Sequence, residues 1–550
     1  MPGSFLAEGS LSRLVSQELQ SSLFSKKTSR REQIAAVEAA LRSPFGQVLR
    51  DEIGRSIVNS LRVEYLVPEI YAQWRPLVRD AMFFMATHLS AERLAPKMVE
   101  QIHLPASTPP EMRLLNLISK VPGLQKLGQV LARNRHLHPA LKRALSQLEN
   151  GISDVSAKAI RRIIVKELGP RLQTCKVAIE ASIFSEASVS AVVRFTWWNP
   201  DLQTRERGVF KVMKPHIPGC YAEDMHLLAE LSKFLGSKHR EYGFAAKGIP
   251  DTFQEVRQLL EHEVHFASEQ AALLEAAHLY SPVPGVRIPR LIQPLCSSKI
   301  TALTEEKGDK ITDAVASMPA WRRKQVAEQL IGALIAVPLF APDRSVMFHA
   351  DPHAGNLLYD VSKAELVLLD WALAEHLSRD QRRHLATLFL MIGLRDPEGI
   401  CRQIQALQRD RKANGREAQL VRKCVASFLD QLPFGHWPGA VDAMRLVEQL
   451  AYHGVRFPAP LIMLRKALFT LDGILHDLAG SDTNLELTLA RHAGRSWMKN
   501  LAGFGAPFSP ADWLRLQSSV LFYGNRVWLQ GVQRAAAFHP RRPVGAPVGA

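Results

Sequence analysis

The pattern of apolar and polar positions separates a helical start of the chain from a strand-forming region. Residues 1–180 carry apolar side chains mainly at helical spacing. Between residues 181 and 217 the composition changes, because "SVSAVVRFTWW" and "RGVFKVMKP" are rich in β-branched and aromatic residues. The turn-like run "NPDLQTRER" separates these two segments. This arrangement predicts a β-hairpin.

The rest of the pattern is mainly helical, with a few short strands. It predicts one long helix at about 251–280 and a pair of short strands within 286–304. An apolar stripe over 326–337 predicts a helix that leads into the run "MFHADPHAGNLLYD", and "ELVLLDW" then predicts a short buried strand. Helices, a small sheet with one helix, and a larger helical half follow one another, which indicates a predominantly helical α+β fold.

Length and composition indicate a globular protein of several domains. The chain has 550 residues, 47% of them hydrophobic and 22% charged, and this length predicts roughly two to four domains. Its five cysteines form no CxxC pair, which argues against a disulfide framework or a cysteine zinc site and suits a reducing cytoplasm. Glu8 and Arg13 interrupt any secretory signal. The longest uncharged run, Gln329–Pro342, has 14 residues and is too short to span a bilayer.

The net charge of +16 favours a polyanionic partner such as a nucleotide, a nucleic acid or an anionic membrane face. An ordinary solvated, arginine-rich surface is the alternative. Nucleic acid is not expected, because neither a motif nor an aromatic platform supports it. Residues 511–538 have the pattern of a helix with Trp513 and Trp528, which either docks on the protein body, the favoured interpretation, or lies on a membrane surface. The last dozen residues have a disordered composition.

Three polar residues have the spacing of a phosphoryl-transfer site. Asn356 follows Asp351 by five residues, and Asp370 follows Asp351 by 19 residues at the end of a predicted strand. Protein kinases use this order: a catalytic Asp, an Asn, then a metal-binding Asp. Because the transferred phosphoryl group carries several negative charges, divalent cations must be held against it by hard oxygen ligands.

Two alternatives compete for the same run. A transition-metal site could use His349, Asp351 and His353, but Pro352 prevents a regular helix from presenting both histidines on one face. Such a site would also need a fourth ligand, which the sequence nearby does not offer. A simple Pro/Gly turn is the other alternative, and it does not account for the spacing to Asp370.

A kinase-type site also needs a lysine on a strand and an acid on a helix to hold that lysine. Lys211 in the predicted hairpin is the candidate, against the alternative of an ordinary edge-strand lysine. The following helix offers Glu261, Glu263 and Glu269, and the last two lie six residues apart, so we expect them to face different partners. The run "HEVH" is not the zinc motif HExxH, because Phe266 stands where the second histidine is needed.

These segments together resemble the UbiB family of atypical protein-kinase-like proteins, which includes the coenzyme Q kinase-like proteins. The resemblance covers about residues 120–490. It is carried by the KxGQ element at Lys126, Gly128 and Gln129, by "GVFKVMKPHIPG", by "HEVHFASEQA", by "FHADPHAGNLL…VLLDWALAEHLS" and, more weakly, by "YHGVRFPAPLIMLRKALFTLDGILHDL".

The resemblance implies a bilobal kinase-like fold with helical additions. The expected division is an N-terminal helical extension at 1–119, a KxGQ-type helical extension at 120–180, an N-lobe at 181–304, a C-lobe at 305–500, and a C-terminal helix with a tail at 501–550.

The resemblance also implies roles for the charged residues. Lys211 would contact ATP phosphates and pair with Glu269, Asp351 would be the catalytic-loop acid, and Asn356 and Asp370 would bind Mg²⁺.

The KxGQ element and the nucleotide loop complete the implied site. Lys126 and Gln129 would lie over the active site, with Glu263 as the partner of Lys126. Ser188 and Ser190 stand in the loop that would cover the nucleotide.

Three departures from the family pattern affect these expectations. The run "SEASVSAVVR" (185–194) replaces an alanine-rich nucleotide loop, His265 replaces the aspartate of an ExD motif, and "DWA" (370–372) replaces a DFG-like motif. The main charged ligands survive, so we expect a nucleotide site with altered affinity.

The expected function is an ATP- and Mg²⁺-binding atypical kinase or ATPase, which the resemblance associates with prenyl-quinone or other lipid-linked biosynthesis at a membrane. The alternatives are a catalytically weak pseudokinase scaffold and a small-molecule phosphotransferase. The expected partners are a nucleotide and either an anionic membrane surface or a lipid or quinone precursor. A cytoplasmic protein, peripheral on the inner membrane, fits these expectations, and a homo-oligomer stays open.

Overall fold

A computed structural model describes most of the chain. The described residues are 28–61, 67, 69–105, 107–119, 121–125, 155–243, 248–409, 415–432, 438–480, 488–489 and 491–492. Two compact units divide them. The first comprises residues up to Gln270 together with Leu291–Glu305, and the second comprises Ala271–Arg290 and the residues from Glu306 onward.

Helices make up most of both units. In chain order they are α1 (Arg30–Arg42), α2 (Gly46–Leu61), α3 (Arg75–His88), α4 (Ala91–His103), α5 (Pro110–Ile118), α6 (Ala157–Leu168), α7 (Pro170–Thr174), α8 (Ile217–Ser237), α9 (Gly248–Val264), α10 (Phe266–Tyr280), α11 (Ile311–Ala314), α12 (Ala320–Ile331), α13 (Val337–Phe340), α14 (Arg379–Gly393), α15 (Pro397–Leu407), α16 (Gly415–Gln431), α17 (Ala440–Tyr452) and α18 (Ala459–Ala479). Short 3₁₀ turns lie at Glu69–Trp74, Gln293–Leu295 and Ala354–Asn356, and a π-helical turn lies at Gly332–Ala336.

The strands are short except for one hairpin. They are β1 (Ala178–Ile179), β2 (Ser185–Glu186), β3 (Ser190–Asn199), β4 (Thr204–Met213), β5 (Val286–Arg287), β6 (Ile300–Thr304), β7 (Asp309–Lys310), β8 (Ser345–His349), β9 (Leu357–Asp360), β10 (Glu365–Leu368) and β11 (Ala374–Ser378).

An antiparallel sheet with the strand order β1-β3-β4-β6 lies in the first unit, and β2 pairs with β3. The predicted hairpin is confirmed as β3 and β4. Alternate residues of β3 point inward, and the rings of Phe195 and Phe210 stack with centroids 3.8 Å apart, a contact worth about 0.5–1.5 kcal/mol beyond burial. Ile160 and Ile164 of α6 cover the same apolar face. The hairpin is therefore a rigid support for side chains on β4.

The N-terminal helices of the first unit pack on α8 and α9 through a second apolar cluster. One buried carboxylate ties three segments together within it. Arg93 Nη1 of α4 lies 2.6 Å from Asp224 Oδ1 of α8, and the Gly123 N–H donates to Asp224 Oδ2 at 2.8 Å. Residues 121–125 are thereby fixed directly ahead of the KxGQ element, and Lys126 and Gln129 themselves lie outside the described residues.

The prediction of one long helix over 251–280 is wrong, because the helix ends at Val264 and a new one begins at Phe266. The carbonyl of His265 accepts from the N–H groups of Ser268 and Glu269, which begins α10. The His265 ring shares a hydrogen bond with the carbonyl of Glu261 at 2.6 Å. Glu263 and Glu269 therefore lie on different helices rather than on two sides of one helix.

Two small sheets lie in the second unit. One has the order β5-β10-β9-β7, and the other is the pair β8-β11. The two strands predicted within 286–304 exist as β5 and β6, but they do not pair with each other. β5 runs parallel to β10, whereas β6 pairs with β4 in the first unit. The predicted buried strand in "ELVLLDW" is confirmed as β10.

The helix predicted to lead into the polar run is confirmed as α12, followed by the π-helical turn and α13. The hydroxyl of Tyr280 donates to the carbonyl of Ala333 at 2.8 Å inside the turn, so the widened turn keeps a buried partner for that carbonyl.

Some predictions lie where the structure gives no test. The predicted helix at 511–538 and the tail lie outside the described residues, and the five-part division of the chain stays a prediction. Within the described part of the chain, no helix combines the length and hydropathy needed to span a bilayer.

Candidate active site

Lys211 lies in the centre of the first unit's sheet. It is opposite Val192 of β3 on one side and Thr301 of β6 on the other, so the edge-strand alternative does not hold. Its Nζ lies 2.6 Å from Glu269 Oε1, and the two side chains are 15% and 3% exposed. The ring of Phe266 lies 5.8 Å from the ammonium. Burial makes this ion pair expensive to break, because either charge alone would be left desolvated.

Glu269 owes its position to the helix break at His265. The break places Glu269 in the first turn of α10, where the unpaired N–H groups and the helix dipole favour a carboxylate. A single helix over 251–280 would have placed the same residue in a helix interior. His265, which departs from the ExD motif, is thus the residue directly before α10.

Two side-chain contacts hold residues 185–190, which belong to the run where the resemblance places a nucleotide loop. The Ser188 hydroxyl donates to Glu263 Oε2 at 2.8 Å, and Lys214 Nζ lies 3.1 Å from Glu186 Oε2, with both of these side chains buried. Ser190 is also buried, at the start of β3. The expected contact of Glu263 with Lys126 lies outside the described residues.

His349 and His353 shape the loop that joins β8 to β9 in the second unit, residues 349–356, which is called the polar loop below. One ring nitrogen of buried His349 bonds with the carbonyl of Leu369 at 2.9 Å, and the other accepts from the N–H of Asp351 at 3.2 Å. Burial lowers the pKa of His349, and a proton on the accepting nitrogen would face an N–H group. His353 Nδ1 accepts from the N–H of Gly355. Because both histidines hold the backbone, the transition-metal alternative loses its ligands.

Strand register brings Asn356 and Asp370 to the same end of the β9–β10 strand pair. Leu357 of β9 pairs with Leu368 of β10, and the carbonyl of Asn356 accepts from the N–H of Leu369 at 2.8 Å. Asn356 directly precedes β9 and Asp370 closely follows β10, so antiparallel pairing places them at the same end. The spacing seen in the sequence reflects this hairpin.

Asp370 adopts a left-handed backbone conformation, with φ of 50°. Such a conformation costs about 1–3 kcal/mol in a non-glycine residue and persists where the surroundings fix it. Trp371 provides this fixation: it is fully buried, its indole N–H donates to the Leu368 carbonyl, and its ring lies 4.9 Å from that of His349. The exposed Asp370 carboxylate accepts from the N–H of Ala372 at 3.2 Å.

Asp351 has a cationic partner that the sequence did not reveal. Lys466 Nζ of α18 lies 3.4 Å from Asp351 Oδ1. The only signal was a pair of charged residues, Arg465 and Lys466, inside the apolar run "LIMLRKALF", within the segment that carries the weakest family similarity. Asp351 and Lys466 lie 115 positions apart, so no local pattern connects them.

The residues near Asp370 fit a magnesium ion. The Nδ2 group of Asn356 donates to the Asp351 carbonyl at 3.2 Å, which leaves the amide oxygen of Asn356 as the atom able to accept a cation. The Asp370 carboxylate is a second hard oxygen donor, as Mg²⁺ prefers. Among the described residues, no group of three or more His, Cys, Asp or Glu is arranged to hold a metal ion, so a magnesium ion here would keep water or phosphate oxygens as further ligands.

A comparison with known protein families identifies a domain in part of this chain. The model of the ABC1 atypical kinase-like domain matches residues 147–404. Residues 147–404 therefore have the sequence pattern of an ABC1 atypical kinase-like domain. The ABC1 domain contains Lys211, Glu269, Asp351, Asn356 and Asp370, whereas Lys126, Gln129 and Lys466 lie outside the matched residues. The α+β kinase-like fold is confirmed.

Curated relatives of the ABC1 domain confirm the resemblance to the UbiB family. An uncharacterized protein of Synechocystis is 25% identical over 73% of this chain and 67% of its own length. Protein ACTIVITY OF BC1 COMPLEX KINASE 7 of Arabidopsis thaliana, a chloroplastic protein, is 23% identical over 64% of this chain and 50% of its own. A probable protein kinase UbiB of Histophilus somni is 22% identical over 64% of both chains. The chain thus spans half to two thirds of these relatives' lengths.

Among solved structures, a Mycobacterium tuberculosis protein in a complex with erythromycin is similar at 16% identity, over 65% of this chain and 87% of that chain, with a TM-score of 0.41.

Proposed function

We propose that the ABC1 domain binds ATP with Mg²⁺ and acts as an atypical kinase or ATPase. The observation that carries this proposal is the buried ion pair between Lys211 and Glu269. Kinase-type sites use such a pair to hold a lysine for the α- and β-phosphates. Asn356 and Asp370 supply the oxygen donors for Mg²⁺, and the carboxylate of Asp351 orients the acceptor.

Magnesium, when bound, neutralises the charge of the phosphate oxygens. The residues of the chain do the remaining work. Lys211 binds the phosphates, and the Asp351 carboxylate accepts a hydrogen bond from the attacking hydroxyl or water. In hydrolysis the water oxygen bonds to the γ-phosphorus, the bond from phosphorus to the bridging oxygen breaks, and ADP leaves with that oxygen and its electron pair. The water proton passes by way of Asp351 to solvent.

The acceptor and the cellular setting belong to the same proposal. The resemblance to the UbiB family supports a role in prenyl-quinone or other lipid-linked biosynthesis, with the chain peripheral on the cytoplasmic side of a membrane. A lipid or quinone precursor is then the expected partner, and the net charge of +16 favours an anionic surface. Assays of turnover with and without anionic vesicles and a quinone precursor identify the stimulating partner.

One observation favours a second candidate, a pseudokinase scaffold. Ser188 is bonded to Glu263, and Glu186 is paired with Lys214, so neither Ser188 nor the buried Ser190 offers its hydroxyl to solvent. A loop held in this way fits weak nucleotide binding without turnover. Binding of MgATP with no release of phosphate would favour the scaffold, and phosphate release would exclude it. Transfer to a small molecule uses the same residues and differs in its product.

The Lys211→Met/Glu269→Gln double variant tests the nucleotide role. Glu269→Gln removes the negative charge that Lys211→Met alone would leave buried and unpaired. Losing the charge-assisted phosphate contact costs about 1.5–3 kcal/mol, which weakens ATP affinity by about 10- to 150-fold. Isothermal titration with MgATP measures the change. Lys233→Met is the control, because Lys233 is 81% exposed and pairs only loosely with Glu230 at 3.4 Å. Equal affinity in the wild type and double variant would contradict the role.

A further inference from the structure

The partner of Asp351 comes from a part of the chain outside the matched ABC1 residues. Lys466 Nζ lies 3.4 Å from Asp351 Oδ1, and these side chains are only 16% and 13% exposed. Partial burial weakens the competition from water, so this contact is stronger than a surface ion pair. Both residues lie in the second unit.

The fold of α18 fixes the direction of Lys466. The buried residues of α18 include Leu464, Ala467, Leu468 and Leu471. The Lys466 side chain therefore lies next to the buried apolar face of the helix rather than on its exposed face. Its neighbour Arg465 points to a different partner, Glu448, at 3.1 Å. Two adjacent cations on one helix therefore serve different carboxylates, and only Lys466 reaches the polar loop.

Three hydrogen bonds within the polar loop fix the backbone of Asp351. The Asp351 carbonyl accepts from the N–H of His353 and from Nδ2 of Asn356, and its N–H donates to His349. The run from Met347 to Asp360 contains no lysine or arginine. The lysine cation beside the Asp351 carboxylate comes from another element, α18.

We propose that Lys466 is a positioning residue that holds the Asp351 carboxylate in the orientation needed for phosphoryl transfer. This inference rests on the proposed function and deepens it. A carboxylate that can rotate loses alignment with the attacking oxygen, and a displacement of about 1 Å in a reacting group can cost about 10²-fold in rate. A purely structural lysine would instead change stability and leave kcat of the folded protein unaltered.

Steady-state ATP hydrolysis by the full chain separates the two roles. In Lys466→Met we expect kcat to fall by about 10²-fold with KM for ATP unchanged, and Lys466→Arg should recover most of the loss because it keeps a cation. Arg465→Met is the matched control. It removes the neighbouring cation, whose partner is Glu448 rather than Asp351, so kcat should equal that of the wild type. Thermal unfolding establishes that each variant is folded.

A double-mutant cycle supplies the decisive comparison. If Lys466 acts through Asp351, then Lys466→Met should cause no further loss of kcat in an Asp351→Asn background. Asp351→Asn also removes the charge that Lys466→Met leaves unpaired, so the double variant keeps the test open if the single variant does not fold. Wild-type kcat in folded Lys466→Met, or full additivity in the cycle, would overturn the inference alone. A wild-type chain without turnover would overturn the proposed function and the inference together.

Discussion

Replacing Asp351 by asparagine is expected to lower kcat for ATP hydrolysis by about 10²- to 10⁴-fold, the range that a positioned general base contributes. The amide keeps the size of the carboxylate but cannot take a proton from the acceptor. MgATP binding should survive, because Lys211, Asn356 and Asp370 are untouched. Phosphate release and a separate binding titration measure the two effects.

The control for Asp351→Asn is Asp343→Asn. Asp343 is an exposed residue shortly before β8, and its change removes one negative charge from the same unit without touching the polar loop. Equal kcat in the wild type and Asp351→Asn would remove Asp351 from the reaction. An equal loss of kcat in both variants would point to the net charge of the unit rather than to Asp351 in the polar loop.

Replacing Trp371 by alanine is expected to destabilise the protein by about 3–5 kcal/mol, as large-to-small changes of buried aromatic residues do. Trp371 is fully buried, bonds to the Leu368 carbonyl, and lies against His349 and Tyr280. Its loss leaves a cavity directly beside Asp370, so the left-handed conformation of that residue loses its support. Denaturant unfolding measures the change in the free energy of unfolding.

Trp321→Ala is the matched control for this change. Trp321 is 68% exposed at the start of α12, so removing the same side chain there should change stability by no more than about 0.5 kcal/mol. Similar losses in the two variants would show that Trp371 does not stabilise the backbone around Asp370. The comparison also tests whether burial of Trp371 stabilises the run "DWA" (370–372), which replaces a DFG-like motif.

Local patterns in the sequence predicted the features that depend on neighbouring residues. The hairpin followed from alternating β-branched and aromatic residues, and it carries Lys211 to the centre of a sheet. The spacing from Asn356 to Asp370 is the length of one tight hairpin, β9 to β10. Both features are set within about 20 residues, which is the range over which hydrophobic period and turn chemistry act.

Features that depend on distant contacts could not be predicted. The apolar pattern runs across His265 without interruption, so only the structure shows that a new helix begins at Phe266 and has Glu269 in its first turn. β5 pairs with β10 rather than with β6, because strand partners are chosen by the tertiary fold. The contact of Lys466 with Asp351 joins two elements far apart in the chain.

Thermal unfolding with and without MgATP tests the central claim most directly, because any ligand that binds only the folded state raises its stability. The proposed function predicts stabilisation of the wild type by about 2.7 kcal/mol when MgATP is in hundredfold excess over Kd. In Asp370→Asn the effect of adding Mg²⁺ should be lost, because the exposed carboxylate that would hold the ion is gone. No stabilisation of the wild type, or equal stabilisation of Asp370→Asn, would contradict the account.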